Sequence, residues 1–140
     1  MGFRIIEEIV SGDFVFQAWG NNIKELFAAC AEACFSAMTD PAAVEPKNDY
    51  PVKIKAENLE DLLYNFLAEL IYLKDIDKIF FSKFDIEIDI EEVSLNAVAW
   101  GETIDYNKHE IKTDVKAVTY HDLKIVKSTD RYEVKVILDL

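Results

Sequence analysis

The chain has 140 residues, the usual size of one domain, and at 51% hydrophobic and 12% aromatic it carries enough apolar surface for a core. Its formal charge is −12, from 27 acids against 15 bases, a field that repels phosphate backbones and argues against unaided nucleic-acid binding. Apolar runs fall short of the roughly 20 residues that span a membrane, and Glu7 and Glu8 come too early for a secretory signal, so the expected compartment is the cytoplasm.

Strands are predicted over 3–9 and 14–19, joined by a Ser11-Gly12-Asp13 turn where glycine lets the backbone reverse and present a side chain. The first helix begins at Asn22, with Glu25 three residues on as a variant capping box. Ile23, Leu26, Phe27, Cys30, Cys34 and Ala37 follow a period near 3.6, and Thr39-Asp40-Pro41 closes the segment. Cys30 and Cys34 lie one helical turn apart in this apolar stretch and read as packed core thiols, not as a disulfide framework or a metal pair. Tyr50, Val52, Ile54 and Ala56 alternate with polar residues, and Pro51 marks an edge strand or a strand start.

The second helix takes Asn58 as its cap. Its apolar stripe is Leu59, Leu62, Leu63, Phe66, Leu67, Leu70 and Leu73, and it leaves at Asp75–Asp77. Residues 85–91 alternate Ile86, Ile88 and Ile90 with Asp85, Glu87, Asp89 and Glu91. Leu95, Ala97 and Ala99 supply a partner strand, and further strands are predicted over 112–120, 122–127 and 131–138. The sum is one α+β domain over residues 1–140: two layers, a mostly antiparallel β-sheet with two amphipathic helices packed on one face.

The two histidines, His109 and His121, are too few and too far apart for a zinc hydrolase, and neither a nucleotide loop nor a nucleophile motif is present. An enzyme is therefore not expected. Abundant carboxylates make a hard cation the natural cofactor class. Asp13, Asp139 and the terminal carboxylate of Leu140 converge if the first and last strands lie side by side; a cation between them would relieve their repulsion, whereas separate terminal acids would simply be solvated. Asp85, Glu87, Asp89 and Glu91 are spaced as a solvated outer face, and Glu60 and Asp61 as helix-start acids. His109 is expected in an exposed loop. His121 reads either as a polar bend or as a group titrating near neutrality, beside Thr119, Tyr120 and Lys116, the last most simply a salt-bridge partner of a sheet acid.

Several segments together resemble the archease family: Asn22-Ile23-Lys24-Glu25-Leu26-Phe27 with Met38-Thr39-Asp40, residues 57–73, Phe80-Phe81-Ser82-Lys83-Phe84, and Gly101-Glu102 followed by His109. The best-marked is Lys116-Ala117-Val118-Thr119-Tyr120-His121, and Val136-Ile137-Leu138-Asp139-Leu140 resembles the family ending. The family carries an Asp/Glu-His-Thr-Ala-Asp run where this chain has Ile9-Val10-Ser11-Gly12-Asp13; Val10 replaces the histidine and Asp13 is retained. The resemblance implies a non-catalytic activator of an RtcB-type RNA ligase in tRNA splicing, promoting ligase guanylylation and repeated turnover. It further implies a divalent cation held by Asp13, Asp139 and the Leu140 carboxylate: calcium, with magnesium or manganese as alternatives. Lys116, Thr119, Tyr120, His121 and His109 are candidate supporting residues. The competing readings are a stand-alone small-ligand or metal-binding module, a metal-dependent enzyme, against which the scarcity of histidine argues, and an adaptor or chaperone-like protein without a ligase partner.

Overall fold

Asn22 and Asn58 start the two helices, and their side chains do the capping. Asn22 Oδ1 accepts from the Glu25 N–H at 2.8 Å, and Glu25 Oε1 reaches back to the N–H of Asn21 at 3.0 Å. Asn58 Oδ1 accepts from the Asp61 N–H, also at 2.8 Å. Helix α1 spans Ile23–Ser36 and α2 spans Leu59–Asp77. The computed structural model describes residues 1–8 and 12–140. Ile9, the expected end of the first strand, Val10 in place of the family histidine, and Ser11 of the predicted turn lie outside the described residues.

Helix α1 stops before Thr39-Asp40-Pro41. Thr39 donates to the Phe35 carbonyl at 3.0 Å, and Asp40 caps a separate 3-10 turn, Pro41–Ala43. Helix α2 leaves through Lys78 in the left-handed conformation.

All strand pairs are antiparallel. The strands are β1 Gly2–Glu8, β2 Asp13–Gly20, β3 Asn48–Lys55, β4 Ile79–Asp89, β5 Ser94–Thr103, β6 Ala117–Val118, β7 Val126–Lys127 and β8 Tyr132–Asp139. The α+β class and the two helices stand as the periodicities predict, but the strands divide into two sheets. One runs β1-β2-β8-β6, with β7 also on β8; the other runs β3-β5-β4. Helix α1 packs against both, and α2 packs on the second sheet and on β6. That position explains why α1 is apolar almost all round: Ile23, Leu26, Phe27, Ala29, Cys30, Ala31, Ala33, Cys34 and Phe35 are all buried. Gly101 lies where β4 shifts register against β5; a Cβ there would meet the Phe80 carbonyl oxygen at 1.8 Å. Among the described residues no helix is long and apolar enough to cross a membrane.

The predicted strands over 112–120 and 122–127 shrink to β6 and β7. The backbone of 112–113 goes elsewhere: Lys112 and Thr113 donate to the carbonyls of Met38 and Ala37 past the end of α1. The acidic alternation likewise ends at Asp89, whose side chain accepts from the N–H groups of Glu91 and Glu92 and turns the chain, leaving Ile90 exposed.

Candidate functional site

Asp13 and Asp139 form a directly opposed pair at the end of the β2–β8 ladder. The convergence was conditional on the first and last strands lying side by side; it is the second, β2, that pairs with β8 over its whole length and brings the two aspartates together. Phe14, Phe16, Leu138 and Val136 point into the core, so by strand alternation Asp13 and Asp139 project from the opposite face of the sheet. Gly12 holds a φ of +84°, which suits glycine, and its carbonyl accepts from the Leu140 N–H at 3.1 Å. That bond draws the end of the chain alongside the start of β2. On the other flank, Lys116 donates its N–H to the Asp139 carbonyl at 2.9 Å, and Ala117 stands opposite Asp139.

Like charges directly across a ladder are destabilising, and hard oxygen donors suit a hard cation. Two opposed carboxylates at this end of the ladder are donors of the type that suits a divalent ion. Among the described residues no group of three or more His, Cys, Asp or Glu side chains is placed to hold a metal. The third ligand would have to be the Leu140 carboxylate.

The Archease protein family (MTH1598/TM1083) matches residues 3–140. The chain belongs to the archease family. It is 41% identical to the protein archease of Sulfurisphaera tokodaii, across 93% of this chain and 94% of that one. It is 39% identical to the protein archease of Pyrococcus abyssi over the same shares. The solution structure of Methanobacterium thermoautotrophicum protein 1598 superposes with a TM-score of 0.85 at 37% identity, covering 99% of each chain. The crystal structure of a Thermotoga maritima archease, described as a possible chaperone, shares the fold with a TM-score of 0.67 at 19% identity, over 96% of this chain and 98% of that one.

The archease-like segment Lys116–His121 is not one polar cluster on one strand. Lys116 and Tyr120 lie on the α2 side: Lys116 shares a cleft with Tyr64, Tyr72 and Asp75, and the Tyr120 ring stacks on Tyr64 at 3.8 Å. Burial pushes the Tyr120 hydroxyl above its ordinary pKa, and Asp61, with which it hydrogen-bonds, adds to the shift. Lys116 is exposed, and among the described residues no carboxylate pairs with it, contrary to the expected salt bridge. Thr119 turns to β8, its N–H and Oγ1 both donating to the Ile137 carbonyl. His121 is exposed in a turn, with Nε2 3.5 Å from Asp122, which also meets Lys135.

His109 is not the exposed loop residue expected; it is 3% exposed. Its Nδ1 accepts from the Asp105 N–H at 2.9 Å, its ring packs edge-on to Phe80, and Nε2 faces Glu102 at 3.3 Å. Glu102 gathers the loops around it. Burial opposes its ionisation, but the Glu45 N–H, the Lys108 ammonium and His109 together hold its pKa down to about 2. This cluster sits on β4 and β5 of the second sheet, apart from the Asp13–Asp139 pair on the first.

Sequence reasoning missed two residues, Glu102 and Lys74. Lys74 continues the α2 stripe through Leu67, Leu70 and Ile71 and is 5% exposed, beside Leu73, which packs against the core as expected. The periodicity alone could have found it. Burial alone would lower its pKa, yet hydrogen bonds to Asp75 and Asp114 raise it above the ordinary value. Glu102 stands in the family-like Gly101-Glu102 segment, but nothing local shows its role, because its partners come from loops on either side.

Proposed function

We propose that this archease-family chain is a non-catalytic activator of an RtcB-type RNA ligase in tRNA splicing, promoting guanylylation of the ligase and repeated turnover. The observation that carries the reading is the opposed pair Asp13 and Asp139, with the Leu140 N–H bonded to Gly12 beside it. Asp13, Asp139 and the Leu140 carboxylate would hold a divalent cation, calcium first, with magnesium or manganese as alternatives. Such an ion supplies positive charge to a phosphate-bearing centre. The residues themselves would bring three carboxylates together at the end of the β2–β8 ladder, and groups carried on strands are presented to a partner more precisely than groups on loops.

The net charge of −12 supports docking on a basic protein surface rather than on RNA. The work would take place in the cytoplasm, without membrane attachment. The test is multiple-turnover ligation with the cognate ligase. Asp13→Ala and Asp139→Ala each reduce stimulation at least tenfold, and full stimulation by both variants would overturn the reading.

A stand-alone small-ligand module is the second reading. It has a cleft of about 300 Å³ at the end of α2, between Met38, Phe80, Ile104, Tyr106 and Ile111. It predicts that the native partner pool contains no ligase.

A further inference from the structure

Lys74 is a charged residue where the α2 stripe calls for an apolar one. Its three donors are all engaged: Asp75 Oδ1 at 2.6 Å, Asp114 Oδ1 at 2.9 Å and the Val115 carbonyl at 3.1 Å. Its two carboxylate partners are exposed, at 52% and 78% of their side chains, and pairs with exposed charges contribute little to stability. Stability is therefore a poor reason for a lysine here, and the geometry supplies a better one.

Strand β6 is two residues long and meets β8 through only two pairs, Ala117 with Asp139 and Val118 with Leu138. So short a ladder does not set its own register. A slip by one residue would put Val118, now 3% exposed, across from Asp139 and turn it out of the core. The segment is pinned after β6 by Thr119 on the Ile137 carbonyl and by Tyr120 on Tyr64. Before β6, the side chain that holds its backbone is Lys74, on the carbonyl of Val115. The next residue, Lys116, donates its N–H to the Asp139 carbonyl.

We propose that Lys74 is a register lock for β6: by gripping Val115 it fixes Lys116–Val118 against β8 and so positions Asp139 within the carboxylate set. The positioning of a cation ligand rests on the function proposed above; the locking of register does not.

The register is read without metal, by amide hydrogen exchange in the wild type and in Lys74→Met. The amides of Lys116 and Thr119 lose at least tenfold in protection, while those of the β1–β2 ladder keep theirs. Unchanged protection at Lys116 and Thr119 overturns the lock, as does a loss spread evenly over both sheets. If Lys74→Met does not fold, Asp114→Ala takes its place, because it removes a carboxylate whose side chain is 78% exposed from the same ammonium. It gives the same local loss at smaller size, and no loss there overturns the lock equally.

Calcium titration by calorimetry separates this proposal from the reading it extends. Lys74→Met binds about tenfold more weakly, the low end for a residue supporting a metal ligand, with its melting temperature retained; Asp13→Ala abolishes binding. Wild-type affinity in Lys74→Met beside loss in Asp13→Ala sinks the positioning role alone. Wild-type affinity in Asp13→Ala sinks the carboxylate site and leaves the lock to the exchange data.

Discussion

Glu102 shows how one side chain can hold three pieces of backbone. It ends β5, takes the N–H of Glu45 at 2.6 Å from the loop before β3, and takes Lys108 at 2.9 Å from the loop after β5. Glu102→Gln leaves the Glu45 N–H and the partly exposed Lys108 ammonium facing a neutral amide, which costs about 1 kcal/mol. The pH dependence follows from the direction of the shift. The folded-state pKa lies at about 2 against an ordinary 4.5, so this stabilisation is complete above about pH 4.5 and disappears as pH falls toward 2. Thermal melts of the wild type and Glu102→Gln should differ at pH 7 and converge as pH approaches 2. A gap that stays constant with pH would show that the carboxylate charge contributes nothing.

The two asparagine caps, the apolar spacing and the left-handed exit of α2 all belong to the helices themselves, and both helices were legible in the sequence for that reason. Asn22→Ala removes a side-chain acceptor from the first turn of α1 and should cost about 1 kcal/mol, read as a lower urea midpoint with an unchanged slope. An unchanged midpoint would mean that tertiary packing alone holds that turn. The stretch 112–116 was not legible. It was expected to be extended, yet Lys112 and Thr113 satisfy their N–H groups on the end of α1, far away in sequence. The pairing of β8 with β2 rather than β1 was equally hidden, since alternation names a strand's faces and not its neighbours. The opposition of Asp13 and Asp139 was foreseen only as a condition, and His109 was misread because nothing in its own loop shows that Glu102 anchors it.

The division into two sheets suits α1, whose solvent face is only a narrow stripe through Lys24, Ala28, Glu32 and Ser36. A helix so apolar must be covered on several sides, and one sheet cannot do that. Cys30 and Cys34 lie inside this arrangement at 0% exposure, and burial pushes the Cys34 thiol up to about 12 and that of Cys30 higher still. Neither should react with a thiol reagent at pH 8 in the native protein, and both should react once it is denatured. Reaction of either thiol before unfolding would mean that α1 is reached through local opening.

Tyr64 and Tyr120 stack at 3.8 Å with their planes 9° apart, one ring carried by α2 and the other by the turn just after β6. Two phenols stacked so nearly parallel couple their electronic transitions. The chain therefore carries an intrinsic chromophore pair whose near-ultraviolet circular dichroism reports whether that turn is seated on the helix, with no label attached.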